Sequence, residues 1–316
     1  MEQSVGTYNA EAQKNIKASW DKFARVYDQF IQINTLQLFN TLLVHTHAHQ
    51  RKRILEVACG SGMHSLYLAK TMLQRGAVLV STDISEEMIG MYKEKFEGDE
   101  DFTQLKNNKL SIIKGDIENG FNPESYFEDG KRSVVAGLAN NEALPFTDAS
   151  FDCYLANLSL MLVDNHLNQL SEALRVTQPG ATFGFTVWGR REFVQNMACV
   201  HDVFERNGVN IKKSPSGKTP YDLGKDPEAL RAVMEGMGYK EIRMWYQKCN
   251  FAFKDPEEYV FSILEGTINK AVLSELPEEQ AAKIRAEVRE EYMKRMGGDH
   301  VMDPNHFECL IITAKK

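Results

Sequence analysis

The chain has 316 residues, of which 43% are hydrophobic and 26% charged, and its formal net charge is −7. This composition is typical of a globular protein with a sizeable core, and we expect a single domain over residues 1–316. No apolar run reaches the roughly 18 to 20 residues of a membrane span, and the acidic balance disfavours a general nucleic-acid binder.

The chain begins with a polar stretch, MEQSVGTYNAEAQKN, that contains no apolar signal core. We therefore expect a cytoplasmic protein without a membrane span. Residues 11–50 are mostly helical in character and precede the first apolar run. They predict a helical lid, over residues 1–50, at one edge of the core.

Short apolar runs of strand length follow and alternate with amphipathic helical stretches. The predicted strands are 53–58, 77–85, 133–139, 151–160 and 181–189. Strand and helix in alternation predict an α/β fold, with a Rossmann-like, mostly parallel sheet and helices on both of its faces. Residues 51–190 would form this core. The segment 97–132 is longer than an ordinary connection, and an extra strand is expected in it at LSIIKG.

The last third of the chain departs from this alternation. Residues 239–253 and 306–316 have the pattern of strands, and most of the segment between them is helical in character. Because the final strand follows another strand-like segment, we predict that it is antiparallel and lies at the edge of the sheet. Residues 191–300, including the strand near 239–253, are expected to form a cover over the core.

Cysteine and histidine are the residues that would indicate a disulfide framework or a metal centre. The five cysteines lie far apart and form no C-x-x-C pair, which disfavours both a disulfide framework and a zinc site. Histidines occur in HTHAH at 45–49 and in GGDH at 297–300. Alternating histidines in a connecting segment are usually solvated, so we expect no metal.

The stretch RILEVACGSG carries the first functional signal, because a strand ends at an acid and runs into a glycine-rich turn. Glycines let backbone N–H groups come close to a ligand, since a Cβ atom would hold the ligand away. A dinucleotide site has a third glycine, and here the chain has Ser65 instead.

The run from Glu56 to Gly62 resembles motif I of the class I S-adenosylmethionine-dependent methyltransferases, except that Ala58 stands where the family usually has glycine. Asp83 falls where the family's acid accepts the ribose hydroxyls. The stretch LANNEALPFTDASFD at 138–152 resembles the adenine-contacting segment, with Asn140 in place of the usual aspartate. Asp116 is a rival for that role.

The segment WDKFARVYDQF at 20–30 is similar to the one that small-molecule members of the family, including the ubiquinone-biosynthesis group, have before the core. In this group an aromatic side chain such as Tyr27 can close over the cofactor. The alternative is that Tyr27 belongs to an ordinary apolar helix stripe.

The resemblance implies S-adenosylmethionine as cofactor and S-adenosylhomocysteine as product. It also implies a small-molecule acceptor, methylated at oxygen or nitrogen by in-line displacement in an enclosed pocket. The implied cofactor-binding residues are Tyr27, Glu56, Ala58, Cys59, Gly60, Gly62, His64, Asp83, Ile84, Met88, Asn140, Asn141 and Asn157.

His166 and Asp164 follow the fourth of the predicted strands, where the acceptor should lie, and are the candidate catalytic residues. Histidine is a natural base near neutral pH. Two alternative functions stay open at this point: an NAD(P)-dependent oxidoreductase and a non-catalytic S-adenosylmethionine-binding scaffold. The departures at Ala58 and Asn140 are the features that would point to a scaffold. The identity of the acceptor and the oligomeric state are left open.

Overall fold

A computed structural model describes residues 9–105, 107–209, 219–251, 253, 255–265, 267–296 and 304–316 of the chain. The strands are Arg53–Val57 (β1), Ala77–Asp83 (β2), Asn108–Asp116 (β3), Arg132–Leu138 (β4), Phe151–Ala156 (β5), Thr177–Trp188 (β6), Lys240–Asn250 (β7) and His306–Lys315 (β8). The helices are Ala10–Val26 (α1), Gln32–His45 (α2), Met63–Thr71 (α3), Glu86–Gly98 (α4), Glu100–Gln104 (α5), His166–Val176 (α6), Gln195–Arg206 (α7), Pro227–Met237 (α8), Pro256–Leu264 (α9), Thr267–Ser274 (α10) and Glu278–Arg295 (α11). A π-helical turn, Tyr27–Ile31, joins α1 to α2.

The strands form one sheet in the order β3-β4-β2-β1-β5-β6-β8-β7. β8 runs antiparallel to both of its neighbours, β6 and β7, and the other pairs of described strands are parallel. This confirms the predicted mostly parallel sheet with an antiparallel C-terminal strand. The prediction that the C-terminal strand lies at an edge is wrong, because β8 is inserted between β6 and β7. β7 forms that edge, and β3 in the long insertion forms the other. The carboxyl ends of the parallel strands therefore meet at one side of the sheet.

Helices cover both faces of the sheet, as predicted. Alternate residues of β1 belong to different cores, with Ile54 on one face and Leu55 on the other. The first core is closed by α2, α3 and α4, and the second by α6 and α8. A third apolar cluster joins α7, α9 and α11. Among the described residues, no helix is both long and apolar enough to cross a bilayer.

β2 and β5 end earlier than predicted, for local reasons. β2 stops at Asp83 because Ser85 caps α4, its hydroxyl accepting the Met88 N–H at 3.2 Å. β5 stops at Ala156 because Leu158 has a φ of 52°, which a strand cannot accommodate. Helices α7 and α8 were not predicted, although Asp226 followed by Pro227 is a typical helix start.

The N-terminal helices are present, but α1 and α2 differ in how they pack. Leu38, Phe39 and Leu42 of α2 are fully buried, so α2 belongs to the core. The contact of α2 with β6 depends on Gly184: a Cβ atom there would lie 3.0 Å from Thr46 Cγ2 and 3.2 Å from Leu42 Cδ2. A lid would therefore consist of α1 and the π-helical turn alone.

We predict that Gly184→Val lowers the free energy of unfolding by about 1 to 3 kcal/mol, because the added carbons overpack the α2–β6 contact. The matched control is Gly236→Ala in α8, where a Cβ atom meets nothing within 4 Å and helix propensity improves. Urea unfolding of both variants checks this. Equal stability of Gly184→Val and the wild type would contradict close packing of α2.

Candidate functional site

The loop after β1 makes a tight turn into α3. Ala58, Gly60 and Gly62 have φ values of 52°, 59° and 88°. A Cβ atom on Gly62 would lie 2.6 Å from Tyr92 Cδ2 and 3.2 Å from Tyr92 Cα, so the loop needs glycine there. Ala58 adopts the left-handed conformation despite its methyl group, at a cost of about 1 kcal/mol. This explains why glycine is usual at that position.

Asp83, at the end of β2, is bonded directly to this loop. Its carboxylate accepts the Gly60 N–H at 2.9 Å and the Ser85 N–H at 3.0 Å. Asp83 is buried, and this burial raises the pKa of its carboxyl to about 6. A carboxylate has about four lone-pair sites, so Asp83 can still accept from a ligand hydroxyl.

Glu56, the acid that precedes the loop, is only 2% exposed. Its carboxylate accepts the Ser65 hydroxyl at 2.5 Å and the Ser81 hydroxyl at 3.1 Å. Burial raises the pKa of Glu56 to about 7. Ser65 stands where a dinucleotide loop has its third glycine, and its role in holding Glu56 was missed in the sequence.

The π-helical turn lies directly on the glycine loop. Tyr27 Cε1 is 3.1 Å from where a Cβ atom of Gly60 would be, and the Ser61 hydroxyl is bonded to Asp28 and Gln32. Tyr27 also contacts Trp20, with ring centroids 5.9 Å apart. Both sequence interpretations of Tyr27 are therefore compatible with its surroundings. π-Helical turns are frequent at functional sites.

His64 and Cys59 are near the loop but turned into the protein. The His64 ring stacks on Phe39 at 5.0 Å, and its Nε2 atom is 3.2 Å from both Thr35 Oγ1 and the Gln32 carbonyl oxygen. Burial lowers the pKa of His64 to about 4, so the ring is neutral at pH 7. Burial also raises the pKa of the Cys59 thiol. Their surroundings indicate that they anchor the loop.

The segment proposed to contact adenine lies beside Asp83, because the Ala139 N–H donates to the Asp83 carbonyl oxygen at 3.0 Å. Asp116 instead ends the edge strand β3 and is exposed. The Asn140 amide oxygen, expected to accept from adenine, already accepts the Glu142 N–H at 3.0 Å. Its Nδ2 atom is buried and has no partner among the described residues. The geometry favours Asn140 over Asp116, with Nδ2 as the group available to a ligand.

Glu142 connects the turn that contains the candidate catalytic residues Asp164 and His166 to the segment proposed to contact adenine. Its Oε1 atom accepts the Asp164 N–H at 2.9 Å and Gln13 Nε2 of α1 at 2.5 Å. Its Oε2 atom accepts the Asn165 N–H at 3.0 Å. Burial raises the pKa of Glu142. No sequence pattern marks Glu142, which nevertheless connects the adenine segment, the 164–166 turn and α1.

The other predicted cofactor residues lie around the same edge. Asn157 follows β5 and is committed to two bonds, from Thr186 Oγ1 at 2.7 Å and to the Thr35 carbonyl oxygen at 3.3 Å. Asn141 is buried beside Asn140, and Met88 is buried in the first turn of α4. Ile84 is half-buried between Asp83 and that helix.

The histidine clusters do not form a metal site in the part of the chain that the structure describes. His45 packs on Trp245 with centroids 4.7 Å apart, and no group of three or more potential ligands is present there. Residues 297–300, which contain GGDH, lie outside the described residues.

The residues present fit S-adenosylmethionine. The bare backbone at Gly60 forms a cradle under Tyr27, whose Cε1 atom is 3.1 Å from where a Cβ atom would be. Beside this cradle Asp83 offers a carboxylate for hydroxyl groups. Two buried amide nitrogens at the edge of the cradle, Gln32 Nε2 and Asn140 Nδ2, have no partner among the described residues. Buried polar groups of this kind are normally bonded, so they indicate a polar ligand.

Residues 55–185 match the Methyltransf_11 family, described as a methyltransferase domain. An uncharacterized protein of Mycobacterium tuberculosis is 25% identical over 269 residues, which cover 84% of this chain and 81% of that protein. The ubiquinone/menaquinone biosynthesis C-methyltransferase UbiE of Rickettsia typhi is 30% identical over 169 residues, 51% of this chain and 56% of UbiE. The solved structure of the [4+2]-cyclase SpnF has the same fold, with 16% identity, a TM-score of 0.56 and 96% of each chain covered.

We predict that ligand-free protein loses stability as pH rises from about 5 to 7, and that Glu56→Gln removes part of this loss, because Asp83, whose pKa is raised to about 6, contributes too. The Glu56 pKa is raised from 4.5 to about 7, so the folded state binds more protons than the unfolded state in this interval. Glu56→Gln should match the wild type at pH 5 and exceed its free energy of unfolding by about 1 to 3 kcal/mol at pH 8. Urea unfolding at both pH values checks this, and identical pH profiles would contradict it.

Proposed function

This chain carries a class I S-adenosylmethionine-dependent methyltransferase domain at residues 55–185, and on that premise we propose that it methylates a small molecule at oxygen or nitrogen. The observation that carries the cofactor assignment is the Asp83 carboxylate bonded to the Gly60 N–H at 2.9 Å. This bond places a carboxylate that can accept from ligand hydroxyl groups next to the glycine loop.

Three observations support a small-molecule acceptor. The net charge of −7 does not suit a polyanionic nucleic acid. Helix α1 crosses the carboxyl ends of the strands, from Ser85, whose hydroxyl donates to Asp21 at 2.6 Å, to Glu142, which Gln13 contacts. The Rickettsia relative is named for ubiquinone/menaquinone biosynthesis, which is small-molecule chemistry. Because it is named a C-methyltransferase, carbon is a further acceptor atom to test.

When bound, S-adenosylmethionine supplies an electrophilic methyl group for in-line displacement. The residues of this chain then have mainly to bind and orient, and orientation alone can supply roughly 7 to 11 kcal/mol of barrier reduction. Asp83 would hold the ribose hydroxyls, and Asn140 and Asn141 the adenine. Glu56 would face the ammonium group, and Tyr27 would cover the site and exclude water.

We predict that Asp83→Ala weakens S-adenosylhomocysteine binding at least ten-fold, because the mutation removes the hydroxyl acceptor and releases the Gly60 N–H. The matched control is Asp152→Ala. Asp152 also accepts two backbone N–H groups, of Lys52 at 2.9 Å and Arg53 at 3.0 Å, but at the opposite end of β1. Isothermal titration calorimetry of both variants measures the difference, and unchanged affinity in Asp83→Ala would refute the site assignment.

A thermal-shift panel separates the alternative functions. The panel compares S-adenosylmethionine, S-adenosylhomocysteine, NAD and NADP, each at about 100 times the dissociation constant assumed for it. At that concentration a bound ligand stabilises the fold by about 2.7 kcal/mol. Shifts with the first two alone support the proposal. A shift with NAD or NADP alone would support an oxidoreductase instead, and binding without methylation of any screened acceptor would favour a scaffold.

We propose His166 as general base, with Asp164 as its partner in positioning the acceptor. The turn that contains them is held by the Glu142 carboxylate at the carboxyl end of β5. His166→Ala should lower kcat by roughly 10²- to 10⁴-fold for a protonated acceptor and leave S-adenosylhomocysteine affinity unchanged. The control is His45→Ala, away from the cradle. A pH–rate profile identical to that of the wild type would exclude His166 as the base.

A further inference from the structure

The side-chain amide of Asn140, just after β4, has one orientation that its surroundings allow. Its Oδ1 atom accepts the Glu142 N–H at 3.0 Å, and a backbone N–H can only donate. With the amide turned over, the Nδ2 group would face this N–H, and two donors would oppose each other. The amide oxygen is therefore committed to the chain, and Nδ2 points away from this bond.

The turn that carries Asn140 is held in place on both sides. The Ala143 N–H donates to the Asn140 carbonyl oxygen at 3.1 Å, and the Ala139 N–H donates to the Asp83 carbonyl oxygen at 3.0 Å. These bonds place Asn140 beside the end of β2, where the Asp83 carboxylate can accept from ligand hydroxyl groups. A ribose held at Asp83 would bring its base to this side of the sheet, next to the Asn140 turn.

The Nδ2 group of Asn140 is buried and has no partner among the described residues. Buried polar groups in folded proteins are normally bonded, and leaving one unpaired costs stability. An amide nitrogen is a donor only. Asn140 therefore needs an acceptor, and a ligand atom beside the turn would supply it.

Asparagine reverses the hydrogen-bond character that an aspartate would have at this position. An aspartate, which the resembled motif usually has here, would accept the Glu142 N–H with one oxygen and present the other oxygen as an acceptor. Adenine has a donor at its six-position amino group and acceptors at its ring nitrogens. The amino group can pair with an aspartate, but it cannot pair with Asn140 Nδ2.

We propose that Asn140 determines base specificity through a donor: Nδ2 donates to a ring nitrogen of adenine, and this side chain does not read the six-position amino group. The inference rests on the proposed function, since it concerns the same cofactor. It follows that the site accepts a purine with a carbonyl oxygen at the six position, as in hypoxanthine, nearly as well as adenine, because the carbonyl oxygen is an acceptor for Nδ2.

The test compares two ligands by isothermal titration calorimetry at pH 8: S-adenosylhomocysteine, and S-inosylhomocysteine, which has a carbonyl oxygen in place of the amino group. Wild-type protein should bind the two with affinities within about ten-fold of each other. Asn140→Asp keeps an oxygen for the Glu142 N–H but replaces the donor by an acceptor. It should therefore raise the preference for S-adenosylhomocysteine at least ten-fold over that of the wild type.

The matched control is Asn122→Asp, which introduces the same charge. Asn122 Oδ1 accepts the Glu124 N–H at 3.0 Å, which is the same bond across two residues. Glu124 pairs with Arg53 at the start of β1, and the glycine loop follows the other end of that strand. Asn122→Asp should leave the ratio of the two affinities unchanged.

A wild-type preference for S-adenosylhomocysteine of more than ten-fold would overturn the inference. It would also be overturned if Asn140→Asp changes the ratio by less than ten-fold, or if Asn122→Asp changes it as much. Wild-type protein that binds neither ligand would refute the proposed function itself, and the inference with it. Melting temperatures of both variants show whether each is folded.

Discussion

The site is organised by one hydrogen bond, from the Gly60 N–H to the Asp83 carboxylate. It ties the turn after β1 to the end of β2, which the parallel pairing of these strands brings together. The loop has to turn tightly for the Gly60 N–H to point at Asp83. Gly62, which has no side chain, lets Tyr92 pack against this loop. The position of α3, of the π-helical turn above it and of the adenine segment all depend on this geometry.

The acids of the site share an electrostatic character. Glu56, Asp83 and Glu142 are buried and receive hydrogen bonds from hydroxyl, backbone and amide donors, with no bonded cation among the described residues. Desolvation is the largest influence on each of their pKa values, and it raises all three. In such a site the ionised form of each carboxyl group is disfavoured, and the binding of a cation would stabilise it. A sulfonium and an ammonium group are suitable complements.

Much of the fold could be predicted from the sequence, because strand runs and helix stripes follow from local periodicity. Gly60, Gly62 and Asp83 could be located because a close backbone approach needs glycine and a strand end presents its acid. Ser65, Gln32 and Glu142 could not, since their roles depend on contacts between segments far apart in the chain. The bond from the Glu142 N–H to the Asn140 amide oxygen is local, but no sequence motif shows whether this amide is bonded within the chain or free to bind a ligand.

The contact between the Tyr27 ring and Gly60 has a consequence for the order of events at the site. Any molecule that settles against Gly60 has to displace this ring, and α1 is continuous with the π-helical turn that carries it. Displacing α1 strains the Gln13–Glu142 bond, which also restrains the turn containing Asp164 and His166. If the proposed cofactor binds against Gly60, its exchange is therefore coupled to movement of the turn that carries the proposed acceptor-side residues.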